Sequence, residues 1–216
     1  MLDKLKIVVL ISGRGSNLSN LINNQEHYKI AAIISNNPEA KGLQYAYDAS
    51  IPTYSFKRAD YESLKKFKSA IREKVISIKP DFVVLAGFMQ IIEKEFIAAF
   101  PARIINIHPS LLPKFPGLDT HKQALDNKAI EHGCTVHLVD EGVDTGKIIA
   151  QARLEINQNE TEESLAKRVL DLEHQIFPWV LNQIGLKNIN IVSNLKVTFN
   201  NKARLSAKER FFNIEM

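Results

Sequence analysis

The sequence predicts an α/β protein: a Rossmann-like, mostly parallel sheet flanked by helices, with an antiparallel portion towards the C-terminus. Three observations predict it. Apolar, β-branched runs alternate with helical patterns over residues 1–100, the order of a doubly wound sheet. The runs Lys6–Ile11, Ile30–Ser35 and Asp81–Gly87 are apolar almost throughout, as strands buried on both faces are. Further on, Thr135–Val139 and Lys147–Ile156 are joined by a short loop, so this pair reads as antiparallel.

Taken in order, Lys6–Ile11 is the first strand, and Ser12-Gly13-Arg14-Gly15-Ser16-Asn17 follows at once. Leu18, Leu21 and Ile22 then recur at helical spacing. Such a strand, glycine loop and helix outline a phosphate cradle, because glycine lets backbone N–H groups approach an anion at a helix start. A dinucleotide fingerprint is excluded: Leu18 replaces its third glycine, and the second strand ends in Asn36-Asn37, with no acid for a ribose. A nucleotide P-loop is excluded by the lack of Gly-Lys-Ser/Thr. A monophosphate site remains, or a tight turn with Ser16 or Asn17 capping the helix.

Ala40–Ala49 reads as a helix, and Ile51–Phe56 as a third strand, which Pro52 places at an edge. Asp60 is the expected cap of a helix running to about Ile78, with Leu64, Phe67, Ile71, Val75 and Ile78 as its apolar stripe. Glu93–Phe100 is a short helix and His121–Asn127 another. Thr161 should cap a long helix with Leu165, Val169, Leu172, Ile176 and Val180 on one face. Pro178 is expected to kink it and Gly185 to close it. Asn190–Asn200 holds one or two weak strands. The expected division is one domain over 1–186, with lobes at about 1–100 and 101–186, followed by a basic tail over 187–216.

Composition narrows the function classes. With 45% hydrophobic and 24% charged residues, the chain has the make-up of a globular domain. No stretch approaches the roughly 20 apolar residues of a membrane span, and the first residues lack a signal-peptide pattern. The single cysteine, Cys134, excludes an intramolecular disulfide and fits a reducing cytoplasm. All of the net charge of +4 lies beyond residue 186, where six basic residues face two acidic ones. Such a run reads as a solvated surface or as a contact for an anionic partner.

The chemistry centres on Arg103–Pro113. An extended backbone puts Asn106 and His108 on one face, and Pro109 keeps His108 out of the α region. An amide donor and an imidazole thus stand side by side at a strand end, where α/β proteins bind ligands. The plain alternative is a polar strand end. Downstream, Asp140-Glu141-Gly142-Val143-Asp144-Thr145-Gly146 makes a tight anionic loop. A carboxylate beside a histidine favours imidazolium, and imidazolium beside an amide suits a tetrahedral oxyanion. By its residue type and place alone, Asp144 reads first as a turn residue between two glycines. His121, His132 and His137 read as surface or satisfied core residues. There is no nucleophile elbow, no activated cysteine and no metal-ligand pattern. The site therefore suits direct attack by a substrate amine on an activated acyl group.

Five stretches carry a resemblance: Ile11–Asn17, Leu85-Ala86-Gly87-Phe88-Met89, Asn106-Ile107-His108-Pro109-Ser110-Leu111-Leu112-Pro113, Pro116-Gly117 and Asp144-Thr145-Gly146. In this order they resemble the folate-dependent glycinamide ribonucleotide formyltransferases of purine synthesis, from about Lys6 to about Pro178. The resemblance implies the formyltransferase fold. It also implies transfer of a formyl group from 10-formyltetrahydrofolate to phosphoribosylglycinamide, small-molecule substrates, no metal, no nucleic acid or membrane partner, and a monomer or homodimer. By the same resemblance Asn106, His108 and Asp144 are catalytic, and Gly15, Ser16, Asn17 and Glu173 bind phosphoribosylglycinamide. Arg58, Met89, Gln90, Ile91, Ile92, Asn106, Asp140, Glu141, Gly142, Val143 and Asp144 would line the folate site. Asp119 departs from the pattern, standing where some members carry histidine, and the last thirty residues match nothing in it. Methionyl-tRNA formyltransferase shares the Asn-x-His-Pro-Ser-Leu-Leu-Pro core but normally adds a nucleic-acid-binding domain. Formyltetrahydrofolate hydrolase usually adds an N-terminal regulatory domain. A phosphosugar-binding module without catalysis is the non-enzymatic alternative.

Overall fold

The computed structural model describes residues 3–192 and 196–204, and the backbone of 212–214. The expected basic residues Lys208 and Arg210 lie outside the described residues. The chain forms two compact units, Met1–Ile105 and Asn106–Met216.

The first unit is built on parallel strands in the order β3-β2-β1-β4, with β1 at Leu5–Ile11, β2 at Tyr28–Ser35, β3 at Thr53–Ser55 and β4 at Phe82–Leu85. Ile7 to Ile11 are fully buried, so the unbroken apolar run marks a central strand. β3 lies at the edge of this order, where the missing N–H of the preceding Pro52 is tolerated. α1 (Ser16–Asn23) and α2 (Gly42–Asp48) connect β1 to β2 and β2 to β3. α3 (Leu64–Ile78) buries Phe67, Ile71 and Val75, whereas Leu64 at the end of the expected stripe is exposed. α4 (Lys94–Ala99) buries Phe96.

Two caps differ from the expectation. Ser63, not Asp60, caps α3: its side chain accepts from Lys66 N, while Asp60 ends a single 3-10 turn at Arg58–Asp60. Neither Ser16 nor Asn17 caps α1. Gly15 occupies that position in the left-handed region, at φ 77°, with no side-chain cap. A β-carbon there would lie 2.5 Å from the Gly42 α-carbon, so the close approach of α1 and α2 also demands glycine.

β5 (Ile104–His108) leads into the second unit. There β6 (Glu131–Leu138) pairs antiparallel with β7 (Ile148–Glu155), as the short loop predicts. The strand β10 (Phe212–Ile214) adds antiparallel on the other side of β7. β6 begins four residues earlier than the sequence suggests, at a Glu-His-Gly stretch with little apolar signal. α5 covers Thr120–Asp126. α6 (Glu162–Gly185) is capped by Thr161, whose hydroxyl accepts from Ser164 N, and it runs through Pro178 as one helix. Leu165, Val169, Ile176 and Val180 are buried along it. β8 (Ile189–Ile191) and β9 (Val197–Phe199) form an antiparallel pair. Lys187, Lys196, Lys202 and Arg204 are exposed. Among the described residues no helix is long and apolar enough to cross a membrane.

Candidate active site

Asn106 and His108 leave the same face of β5, as the period of two requires, and meet polar groups of the second unit. His108 Nδ1 lies 3.3 Å from Asp144 Oδ2, with both side chains largely buried. His108 Nε2 donates to the Phe115 carbonyl at 2.9 Å. Both ring nitrogens thus face oxygens that only accept, an arrangement satisfied in full by the doubly protonated ring. Asp144 adopts φ 54° in its loop, and its Oδ2 also accepts from Gly117 N at 2.9 Å.

His137 belongs to the same cluster. It is buried, as a core histidine would be, but its partner is Asn106. His137 Nδ1 donates to the Leu138 carbonyl at 2.8 Å, so Nε2 is left to accept from Asn106 Nδ2 at 3.2 Å. Burial pushes the His137 pKa down, which keeps this ring neutral and acceptor-competent. His137 Nε2 stands 3.7 Å from Asp144 Oδ1, beyond hydrogen-bond reach. The neutral ring thereby fixes the Asn106 amide. The available signal was alternation: Thr135 and His137 share one face of a strand that runs into the Asp140–Asp144 loop.

That loop is braced from within. Asp140 Oδ1 accepts from Gly142 N at 3.1 Å and from Thr145 Oγ1 at 2.7 Å. Glu141, Gly142 and Val143 are exposed around it. Gly146 packs so tightly that a β-carbon would fall 1.8 Å from the Leu138 carbonyl oxygen. Glu173 is buried in α6. Burial, followed by the nearby Glu173 carboxylate, pushes the buried Cys134 thiol well up, the opposite of nucleophile activation.

The other two histidines form a second pair, His121 Nδ1 to His132 Nε2 at 3.2 Å. His132 is not the satisfied core residue expected, because its buried Nδ1 has no hydrogen-bond partner among the described residues. Burial, then His121 and His108, push the His132 pKa down to about 4.

In the first unit, Gly15, Ser16 and Asn17 form the start of α1, where N–H groups without helical acceptors point outwards. The loop after β4 is tied to this region: Ser12 N donates to the Gly87 carbonyl at 3.0 Å, and Met89 N to Ser12 Oγ at 2.8 Å. Met89 and Ile91 are exposed, while Gln90 and Ile92 are half-buried and line a small cavity with Phe88 and Phe96. Lys68 Nζ donates to the Ile91 carbonyl at 3.2 Å. Arg58 is exposed, and its Nη1 donates to the Tyr61 carbonyl at 2.8 Å. Among the described residues no group of histidine, cysteine and acidic side chains could hold a metal ion.

The chain is similar to known proteins over most of its length. The family model described as formyl transferase matches residues 5–181. The chain is 40% identical over 182 residues to the phosphoribosylglycinamide formyltransferase of Escherichia coli (strain K12), a match covering 82% of this chain and 86% of that one. It is 42% identical over 182 residues to the trifunctional purine biosynthetic protein adenosine-3 of Drosophila melanogaster. That match covers 82% of this chain and only 14% of the longer protein. Among solved structures, glycinamide ribonucleotide transformylase 1 from Symbiobacterium toebii superposes with a TM-score of 0.87 at 36% identity, covering 93% of this chain and 96% of that one. The phosphoribosylglycinamide formyltransferase of Coxiella burnetii, solved with CHES, gives 0.85 at 42% identity over 91% and 93% of the two chains.

Proposed function

The chain belongs to the formyl transferase family, and from that premise we propose that it transfers the formyl group of 10-formyltetrahydrofolate to the amine of N1-(5-phospho-D-ribosyl)glycinamide in purine synthesis. The observation that carries this reading is the His108–Asp144 contact at 3.3 Å, with Asn106 on the same strand face bonded to His137, in a chain so similar to named phosphoribosylglycinamide formyltransferases.

The neutral amine nitrogen attacks the formyl carbon, and the carbonyl π electrons move onto oxygen. Imidazolium His108 and the second N–H of the Asn106 amide receive that oxyanion. The substrate oxygen takes the place of the Phe115 carbonyl on His108 Nε2. Asp144 holds Nδ1 and, through a water, carries the proton from the attacking nitrogen to the folate nitrogen as the bond from that nitrogen to the formyl carbon breaks. Gly15, Ser16 and Asn17 hold the phosphate and ribose, and Glu173 contacts the glycinamide. Arg58, Met89–Ile92 and Asp140–Asp144 line the folate site. The substrates are small molecules, with neither nucleic acid nor membrane as partner, and the protein works as a monomer or homodimer in the cytoplasm, where Cys134 stays reduced.

A substrate panel tests the proposal. Purified protein should consume 10-formyltetrahydrofolate only when phosphoribosylglycinamide is present. Consumption with water alone would make it the hydrolase, dependence on aminoacylated tRNA the tRNA enzyme, and binding without turnover a phosphosugar-binding module.

A further inference from the structure

We propose that Gln151, which touches none of the reacting groups, is a positioning residue that holds the segment after His108 in its working place. The irregular stretch from Pro109 to Asp119 supplies the Phe115 carbonyl to His108 and the Gly117 N–H to Asp144. Its own backbone is buried at Ser110 and Leu112, yet it belongs to no strand or helix, so its polar groups need side-chain partners.

Those partners come from β6 and β7. Gln151 Nε2 donates to the Leu112 carbonyl at 2.8 Å and to Thr135 Oγ1 at 2.9 Å. Thr135 Oγ1 also accepts from Leu112 N at 3.1 Å and donates to the Ser110 carbonyl at 2.6 Å. The hydroxyl has one hydrogen and two lone pairs, and the amide has two hydrogens. All of them are used. A polar unit this fully satisfied defines one arrangement of the loop, and losing any member strands a buried group. Gln151 is also a rigid base, since its backbone lies opposite Thr135 on one side and Asn213 on the other. Two hydrogen bonds from one side chain therefore set where Ser110–Leu112 sits, and with it the segment whose Phe115 carbonyl meets His108 Nε2 until the substrate oxygen replaces it and whose Gly117 N–H holds Asp144.

The activity readout of this inference rests on the formyl-transfer reading, whereas its spectroscopic readout rests on the geometry alone. In Gln151→Met, of similar length but without donors, kcat should fall about tenfold while KM for both substrates stays within twofold. The His108 ring resonances in a 1H–15N spectrum should move. Thr135→Val should behave alike, Thr135→Ser should keep near-native kcat, and the double variant should fall no further than the worse single, because both break one unit. Should Gln151→Met fail to fold, Gln151→Glu keeps the length and lacks the donors at neutral pH, and the same measurements apply. Native kcat with unmoved His108 resonances, or strictly additive losses in the double variant, would overturn the inference. If the native protein transfers no formyl group at all, the functional reading falls, and the ring resonances still decide the role of Gln151.

Discussion

Asp144 Oδ2 sits 3.3 Å from His108 Nδ1 while accepting the Gly117 N–H at 2.9 Å, so one carboxylate oxygen joins the imidazole to the loop beyond it. Asp144→Asn keeps the shape and removes the charge. His108 Nδ1 then loses its charge-assisted partner. Because the proposed mechanism routes both the support of the ring and the proton through this carboxylate, kcat should fall about 100-fold or more with little change in KM. Native kcat would remove Asp144 from this role.

Asn106 is held by His137 at 3.2 Å, which turns its amide nitrogen into the site. Asn106→Ala removes the proposed oxyanion donor, and losing one such donor costs about 3–4 kcal/mol in the transition state. Steady-state kinetics should show a loss of about 100–1000-fold in kcat with little change in KM. A change confined to KM would make Asn106 a binding group only.

Much of this site was legible in the sequence, and the rest was hidden for definable reasons. Asn106 and His108 could be paired because strand alternation is local. Thr161 could be named as a cap because Glu162 and Glu163 follow it in the first turn, whereas Asp60 and Ser63 stand three residues apart and only the turn at Arg58–Asp60 decides between them. Gly15 took the cap position from Ser16 and Asn17 because Gly42 packs against it, a contact between distant residues. His137 reaches Asn106 across 31 residues. The Phe115 carbonyl and Gly117 N–H are backbone groups that every sequence carries, so nothing in the residue types announced them.

Acid should destabilise the fold through its buried histidines. His132 lies near 4 in the folded state, against about 6.5 in an unfolded chain. His121 is also lowered, chiefly by burial. A depressed histidine is neutral when folded, so the unfolded chain binds more protons as the pH drops below about 6.5. The stability present above that pH is lost progressively as the pH falls towards 4. For His132 alone the loss approaches about 3 kcal/mol. Urea unfolding between neutral and acid pH should show the slope, and His132→Leu should flatten it. An equal slope in the variant would assign the effect elsewhere.

Gly15→Ala tests the cradle at the start of α1. The left-handed backbone alone costs alanine about 1–2 kcal/mol, and the β-carbon would meet the Gly42 α-carbon at 2.5 Å. Thermal unfolding should therefore shift down, and KM for the phosphoribosyl substrate should rise. Gly13→Ala is the control, since none of the described residues beyond its chain neighbours lies within 4 Å of its β-carbon and its φ is not in the left-handed range. Equal behaviour of the two variants would contradict the packing argument.

The last prediction concerns β10, which lies beyond the residues matched by the family model. It pairs with Ala150, Gln151 and Ala152 of β7. Removing residues 212–216 would leave those backbone groups unpaired along a strand edge, and such an edge recruits other chains. A few hydrogen bonds at about 1 kcal/mol each would be lost. The shortened protein should unfold at lower denaturant concentration and associate as its concentration rises, which light scattering would record. Because Gln151 sits in the exposed stretch, kcat should fall as well, in the same sense as for Gln151→Met. A shortened chain that stays monodisperse, equally stable and fully active would show that β10 contributes nothing to the edge or to the site.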